Sequence, residues 1–383
     1  RQYLTKAIPE FEGLSEVTKF GTGQSNPTYQ LNAASGSYVL RSKPPGRLLP
    51  SAHAVDREFR VMRALAGTDV PVPEMLHLAD ADASPSKRAF FVMRYLPGRI
   101  FWDPALPDCE AEERHAIYDA MNAALATLHE VDVDAVGLSD YGKPGNYFAR
   151  QLERWSQQYI ASVEAPSDAM SEIMIWLGNN MPADDGQVAL VHGDWRLDNM
   201  IFQPHAPQIA GVLDWELSTL GHPLADLAYQ CMQWRLPNQG YMRGLAGVDR
   251  KALGLPTETQ YVADYAARRG LGQIENWPFY LIFAFFRLAA ILAGVAARAA
   301  AGNASNPEMA RKYGAAVPAL AAMATIVMHE GAYPNITPMM TANRPIIDTK
   351  SATKFTGRIL EIRARISSSG RFARFAFATP TMQ

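Results

Sequence analysis

Residues 191–199 read Val-His-Gly-Asp-Trp-Arg-Leu-Asp-Asn, and residues 211–216 read Gly-Val-Leu-Asp-Trp-Glu. Each polar cluster leaves a short apolar, β-like run, Val188–Val191 and Ile209–Leu213. Strand ends hold side chains at fixed distances from one another, so this pattern constrains the fold more than any other stretch of the chain. It asks Asp194, Asn199 and Asp214 to leave neighbouring strands and converge on one point.

Around that pattern the chain divides in two. Residues 1–96 read as a sheet of five strands, Leu14–Phe20, Pro27–Asn32, Ser37–Ser42, Met75–Ala79 and Ala89–Tyr95. One helix, about Ala52–Ala66, is inserted after the third strand, with Val55, Met62 and Leu65 on its apolar stripe. Residues 97–330 are mainly helical, with helices expected over Ala111–His129, Tyr147–Ser162 and Ser167–Asn179 and again after Pro223. From 331 to 383 periodicity fades into a basic tail of net charge +6, which leaves −8 on the first 330 residues. An acidic body does not suit nucleic acid. Two cysteines, Cys109 and Cys231, form no disulfide framework, and Arg1–Leu4 opens no apolar run of the signal-peptide kind, so a cytoplasmic setting is expected. Phe279–Ala297 is nineteen mostly apolar residues, but Arg287 near its centre would cost about 2.5–3.5 kcal/mol in a bilayer. A helix buried in the larger lobe is the expectation, with no membrane partner.

Three converging oxygen-bearing side chains suit phosphoryl transfer. One carboxylate orients and deprotonates an attacking hydroxyl, while an Asn and an Asp hold Mg²⁺ against the phosphates. The order His-x-Asp-x-x-x-x-Asn, with a further Asp twenty residues after the first, is that of a kinase catalytic loop and its metal-binding turn. With His-Gly-Asp in place of His-Arg-Asp, the chain resembles the aminoglycoside phosphotransferase and choline kinase-like enzymes. It resembles most a branch whose kinase domain is fused to, or encoded near, acyl-CoA dehydrogenases. The resemblance runs from about Gly13 to Ala324 and includes Gly23–Tyr29, Tyr38–Arg41 with Pro44-Pro45-Gly46, Arg57-Glu58 and Asp214–Thr219. It implies an α+β, bilobal protein kinase-like fold: a five-stranded antiparallel sheet with one inserted helix, then a larger helical lobe. It also implies ATP as co-substrate, Mg²⁺, and a functional link to an acyl-CoA dehydrogenase.

Asp194 is then the general base, and Asn199 and Asp214 are the metal ligands. Arg196 is either the cation that neutralises the transferred phosphoryl group or a surface arginine. His192 packs and hydrogen-bonds the loop, and Asp226 holds its backbone. His222 departs from the family, which usually has an acidic residue there. On the nucleotide side, Val39 would lie against adenine and Arg41, on the same strand face, would reach the phosphates. Glu58 falls at the apolar stripe of its helix and needs a cation; Arg41 is the first candidate and Lys43 the second. Gly23 and Ser25 lie in a turn that could cover the phosphates. The backbone at Arg94 and Tyr95, where the lobes join, would hydrogen-bond adenine.

Residues 235–325 carry 10 Arg or Lys against 5 Asp or Glu, which argues for an anionic small-molecule acceptor. With the resemblance, this points to a hydroxyacyl-CoA or similar acyl compound. Arg287 is expected either to contact the acceptor's anion or to form an internal ion pair. The rival readings are an aminoglycoside, macrolide or choline-type kinase, and a nucleotide-binding pseudokinase without chemistry.

Overall fold

The computed structural model describes residues 1–21, 26–44, 54–240, 243–302 and 307–330. Gly23, Ser25 and the 331–383 tail lie outside the described residues. Five strands, β1 (Leu14–Lys19), β2 (Thr28–Ala33), β3 (Gly36–Ser42), β4 (Met75–Ala79) and β5 (Phe90–Arg94), form an antiparallel sheet in the order β1-β2-β3-β5-β4. Alternation along the central strands sends side chains to both faces, and both faces are covered. Val39, Phe91 and Met93 share a core with Phe59 and Met62 of α2 (Val55–Leu65). Tyr38, Phe90 and Val92 face outwards beneath Leu4, Ile8 and Phe11, delivered by α1 (Gln2–Ala7) and the residues after it. The sequence pattern did not show α1. A helix of six residues is too short for a periodic stripe.

The larger lobe begins with α3 (Ala111–His129), α4 (Tyr147–Ser162) and α5 (Asp168–Asn179). Two small antiparallel ladders follow: β6 (Ala189–Val191) pairs with β9 (Thr219–Gly221), and β7 (Met200–Phe202) with β8 (Ile209–Val212). Helices α6 (Leu224–Cys231), α7 (Glu258–Arg268), α8 (Trp277–Ala300) and α9 (Pro307–Glu330) complete the lobe. Helix α8 contains the nineteen-residue apolar run. It is the only helix among the described residues long and apolar enough to cross a membrane, and 83% of its most apolar window is buried inside the fold. It packs on α4, α5, α6 and α9, which makes it the axis of the lobe.

The lobes join through Met93–Gly98. Just beyond the crossing, Arg99 and Phe202 exchange backbone hydrogen bonds of 2.8 and 2.9 Å. A Cβ on Gly98 would stand 2.3 Å from the Phe202 carbonyl oxygen, so only glycine permits this approach.

Candidate active site

Strand β6 is buried at all three residues and delivers His192, Gly193 and Asp194 at its end. Gly193 turns the chain at φ +85°, and a Cβ there would lie 2.6 Å from the Leu217 carbonyl oxygen. The turn is held by the Asp226 carboxylate on α6, which accepts the N–H of His192 (2.6 Å) and that of Gly193 (2.8 Å). His192 is fully buried, with edge contacts to Trp195 and Trp215. Its Nδ1 accepts the Asp194 N–H at 3.2 Å, which places the proton on Nε2, 2.9 Å from the Leu213 carbonyl oxygen. His192 thereby ties the Asp194 loop to the Asp214 turn.

Asp226 is also 3.4 Å from His129 Nε2, whose other ring nitrogen lies 2.7 Å from the Tyr265 hydroxyl. Burial, against the opposing pull of Asp226, lowers the pKa of His129. The folded protein therefore binds fewer protons at this site than the unfolded chain, so its stabilising contribution is lost as pH falls below the ordinary histidine value, about 6.5. We expect the stability of wild type relative to His129→Gln to decline from pH 7.5 to pH 5.5 in urea titrations; a constant difference would show that His129 is not held neutral.

Asp194 accepts Asn199 Nδ2 at 3.0 Å and forms an ion pair with Arg196, whose Nε is 3.2 Å away; Tyr229 of α6 lies beside it. Burial raises its pKa, but Arg196, Tyr229, His192 and Asn199 outweigh that and hold it below the usual value. Arg196 also lies 3.0 Å from Asp198. Asn199 gives its amide N–H₂ to the Asp194 carboxylate and, at 2.9 Å, to the Asp194 carbonyl, so its side-chain oxygen points away from the loop. The Asn199 carbonyl accepts the Leu213 N–H at 2.8 Å, which draws the two polar turns together. Asp214 itself sits in the left-handed region at φ +64°, ψ +56°, a conformation that a non-glycine residue seldom adopts.

Across the cleft, Arg41 Nε is 2.9 Å from Glu58, and its Nη2 is 2.7 Å from Asp214 and 3.9 Å from Glu216. Lys43 pairs with Asp56 instead, at 3.5 Å. Burial opposes the Arg41 charge, but the three carboxylates raise its pKa overall. Burial, together with competition from Asp214 and Glu216, pushes Glu58 up to about 8. One guanidinium serves three carboxylates, so the cluster holds surplus negative charge. Val39 lies on the same face of β3 as Arg41, opposite Met93 in register.

The structure narrows the expectation for Arg94 and Tyr95. Their N–H groups bond the carbonyls of Glu74 (2.9 Å) and Ser37 (3.2 Å), so neither is available to donate to adenine. Pro97 has no N–H and that of Arg99 bonds Phe202, which leaves the donors of Leu96 and Gly98 and the carbonyls of the crossing. The Arg94 side chain turns to Glu74 and Glu10.

Arg287 also has partners that its sequence did not foretell. Its Nη1 donates to the Gly193 carbonyl at 2.8 Å, and its guanidinium lies over the rings of Trp155 and Tyr229. These are contacts within the protein, and neither an ion pair nor an acceptor is needed to account for them. The cationic surplus of residues 235–325 is partly cancelled by carboxylates from elsewhere in the chain: Arg243 pairs with Asp103, Arg268 with Asp119 and Arg269 with Glu130. His222 sits 3.3 Å from Asp185 and stacks on Tyr280. Tyr229 was missed, although its place three residues after Asp226 puts both on one face of α6.

A model described as the phosphotransferase enzyme family matches residues 16–271. The chain belongs to this family. It is 47% identical over 295 residues to acyl-CoA dehydrogenase family member 10 of Mus musculus, covering 77% of this chain and 27% of that protein. It is 40% identical over 311 residues to acyl-CoA dehydrogenase family member 11 of Rattus norvegicus, covering 80% and 40%. The chain thus spans well under half the length of these curated relatives. A crystal structure from Ralstonia eutropha JMP134, assigned as an aminoglycoside phosphotransferase, is 45% identical with a TM-score of 0.75, covering 84% of this chain and 95% of that one. The macrolide 2′-phosphotransferase of Brachybacterium faecium shares the fold at 18% identity and a TM-score of 0.54. The bilobal kinase-like architecture implied by the family resemblance is therefore the observed one.

For a phosphotransferase, the oxygen donors at the cleft fit Mg²⁺. Asn199 Oδ1 and the Asp214 carboxylate are hard ligands beside surplus negative charge. Among the described residues no group of three or more His, Cys, Asp or Glu could hold a metal ion. A cation here would take the rest of its shell from phosphate and water, as Mg²⁺ does at nucleotide sites.

Proposed function

We propose that this phosphotransferase moves the γ-phosphate of ATP to a hydroxyl of an anionic acyl compound such as a hydroxyacyl-CoA. The convergence of Asp194, Asn199, Asp214 and Arg41 at one point of the cleft carries the reading. Asp194 orients the acceptor hydroxyl and takes its proton as the new O–P bond forms and the β–γ bridge breaks to release ADP. Donors crowd Asp194 and make it a weak base, which suits late proton transfer to a group already attacking phosphorus. Asn199 and Asp214 hold Mg²⁺, which would neutralise the β- and γ-phosphate oxygens. Arg41, held in place by Glu58 at 2.9 Å, contacts the phosphates, and Arg196 lies beside the base where charge develops.

Kinship with proteins named as acyl-CoA dehydrogenase family members supports the acyl acceptor and a functional link to such a dehydrogenase. The 45% identical structure assigned as an aminoglycoside phosphotransferase favours the second reading, a polycationic acceptor. A panel of hydroxyacyl-CoAs and aminoglycosides, read by ADP release, separates the two. We expect kcat/KM for the best hydroxyacyl-CoA to exceed that for kanamycin-like compounds by about 10² or more, or about 2.7 kcal/mol of transition-state binding. Efficient phosphorylation of an aminoglycoside with no acyl-CoA turnover would promote the second reading. No ATP turnover with any acceptor or with water would leave a nucleotide-binding pseudokinase.

A further inference from the structure

Gly193, the residue before the base, is gripped at both of its backbone groups by buried charges of opposite sign. Its N–H is taken by Asp226 at 2.8 Å and its carbonyl by Arg287 at 2.8 Å. Glycine at φ +85° has a wide range of other backbone conformations open to it, so these two contacts decide which one it keeps.

Arg287 is an unusual residue for its place. It lies in the apolar run of α8 at 6% exposure, forms no ion pair among the described residues, and leaves its Nε without a hydrogen-bond partner. A buried cation without a counter-ion is costly. What it touches lies around the base. Its guanidinium carbon is 5.6 Å from the ring centre of Tyr229 and 5.8 Å from that of Trp155. Tyr229 in turn lies beside the Asp194 carboxylate and helps to hold its pKa down. A cation over a phenol ring draws electron density from it and makes the hydroxyl a better donor.

We propose that Arg287 is a positioning residue of the phosphoryl-transfer step, fixing the Gly193 carbonyl and the Tyr229 ring and through them the aim of the Asp194 carboxylate. The proposal rests on Asp194 as the base. It assigns to α8 a task beyond filling the core, and it gives the catalytic loop two anchors, of which Asp226 is the other.

The test needs no known acceptor, because water can take the phosphoryl group and yield ADP and phosphate. Three variants divide the contacts. Arg287→Met keeps length and loses charge, Arg287→Lys keeps one cationic donor, and Tyr229→Phe keeps the ring without the hydroxyl. In Arg287→Met, amide hydrogen exchange in the peptide covering residues 191–197 should quicken about tenfold, while α4 and α8 stay protected. The kcat for ATP hydrolysis should fall by about 10–10², with KM for ATP within about twofold of wild type. Arg287→Lys should recover most of both losses. Tyr229→Phe should lose turnover while its loop stays protected. Unchanged loop exchange and unchanged hydrolysis in Arg287→Met would overturn the proposal. So would faster exchange spread through α4 and α8 with no recovery by lysine, which would reduce Arg287 to a packing role. If Asp194→Asn hydrolyses ATP as wild type does while Arg287→Met still loosens the loop, it is the base assignment that fails, not the hold on Gly193.

Discussion

Asp194→Asn is expected to lower turnover by about 10²–10⁴, the usual worth of a positioned general base, while nucleotide binding stays intact. The substitution preserves shape, and the amide oxygen can still accept from Asn199, which donates to the carboxylate at 3.0 Å. What is lost is the negative charge that, on the proposed mechanism, holds the acceptor hydroxyl and receives its proton. Arg41, Glu58 and Asp214 lie across the cleft and do not bond Asp194 directly, so the phosphate-binding side should be undisturbed. Single-turnover ADP release, set beside equilibrium binding of a fluorescent ATP analogue, measures the two quantities separately. Turnover equal to wild type would sink the assignment of the base.

The largest expected effect on stability is at Asp226. Asp226→Asn replaces one carboxylate oxygen with an amide N–H₂. That sets a donor against the N–H of either His192 or Gly193, both of which now have a carboxylate oxygen within 2.8 Å. The site is buried, and water cannot take over the lost bond. Leaving a buried N–H unpaired costs about 1–3 kcal/mol, and losing a charge-assisted bond adds to it, so a total of about 2–4 kcal/mol is expected. Burial by itself would push the Asp226 pKa up, but His129, His192 and the Gly193 N–H keep it below the ordinary value, which shows how far the surroundings are built for the anion. Urea denaturation gives the comparison directly, and an unchanged midpoint would mean that the loop draws its stability from elsewhere.

Much of this arrangement was legible in the residues themselves. Helices α3 and α4 run over the residues their apolar periodicity marks, because each buries one long stripe. The approach of the Asp194–Asn199 loop to the Asp214 turn was legible in the motif spacing, but not its route. The strands they leave, β6 and β8, belong to separate ladders rather than lying side by side, and the Asn199 carbonyl on the Leu213 N–H joins the turns. The Arg41–Glu58 contact was legible for a different reason: a carboxylate at an apolar stripe must find a cation. Strands β7 and β9 were not, since three residues cannot display alternation. Arg287 was misjudged because its hydrogen-bonding partner is a backbone carbonyl, and nothing in residue identity marks which carbonyl a distant helix will meet. The pairing of the cations of residues 235–325 was hidden in the same way. Their counter-charges come from α3 and its flanks, more than a hundred residues earlier in the chain.

The backbone pairing of Arg99 with Phe202 sits beside the lobe crossing, and Gly98 is pressed against the same strand. At the far side of the cleft the lobes meet again: Arg41 reaches Asp214, Arg57 of α2 donates to the Tyr141 carbonyl, and the Val212 N–H bonds the Pro71 carbonyl. The two lobes are therefore stitched together on both sides of the cleft, by main chain as well as by charge. Salt and phosphate compete for the Arg41 guanidinium, so they can loosen that stitch while the main-chain ones keep the lobes in register.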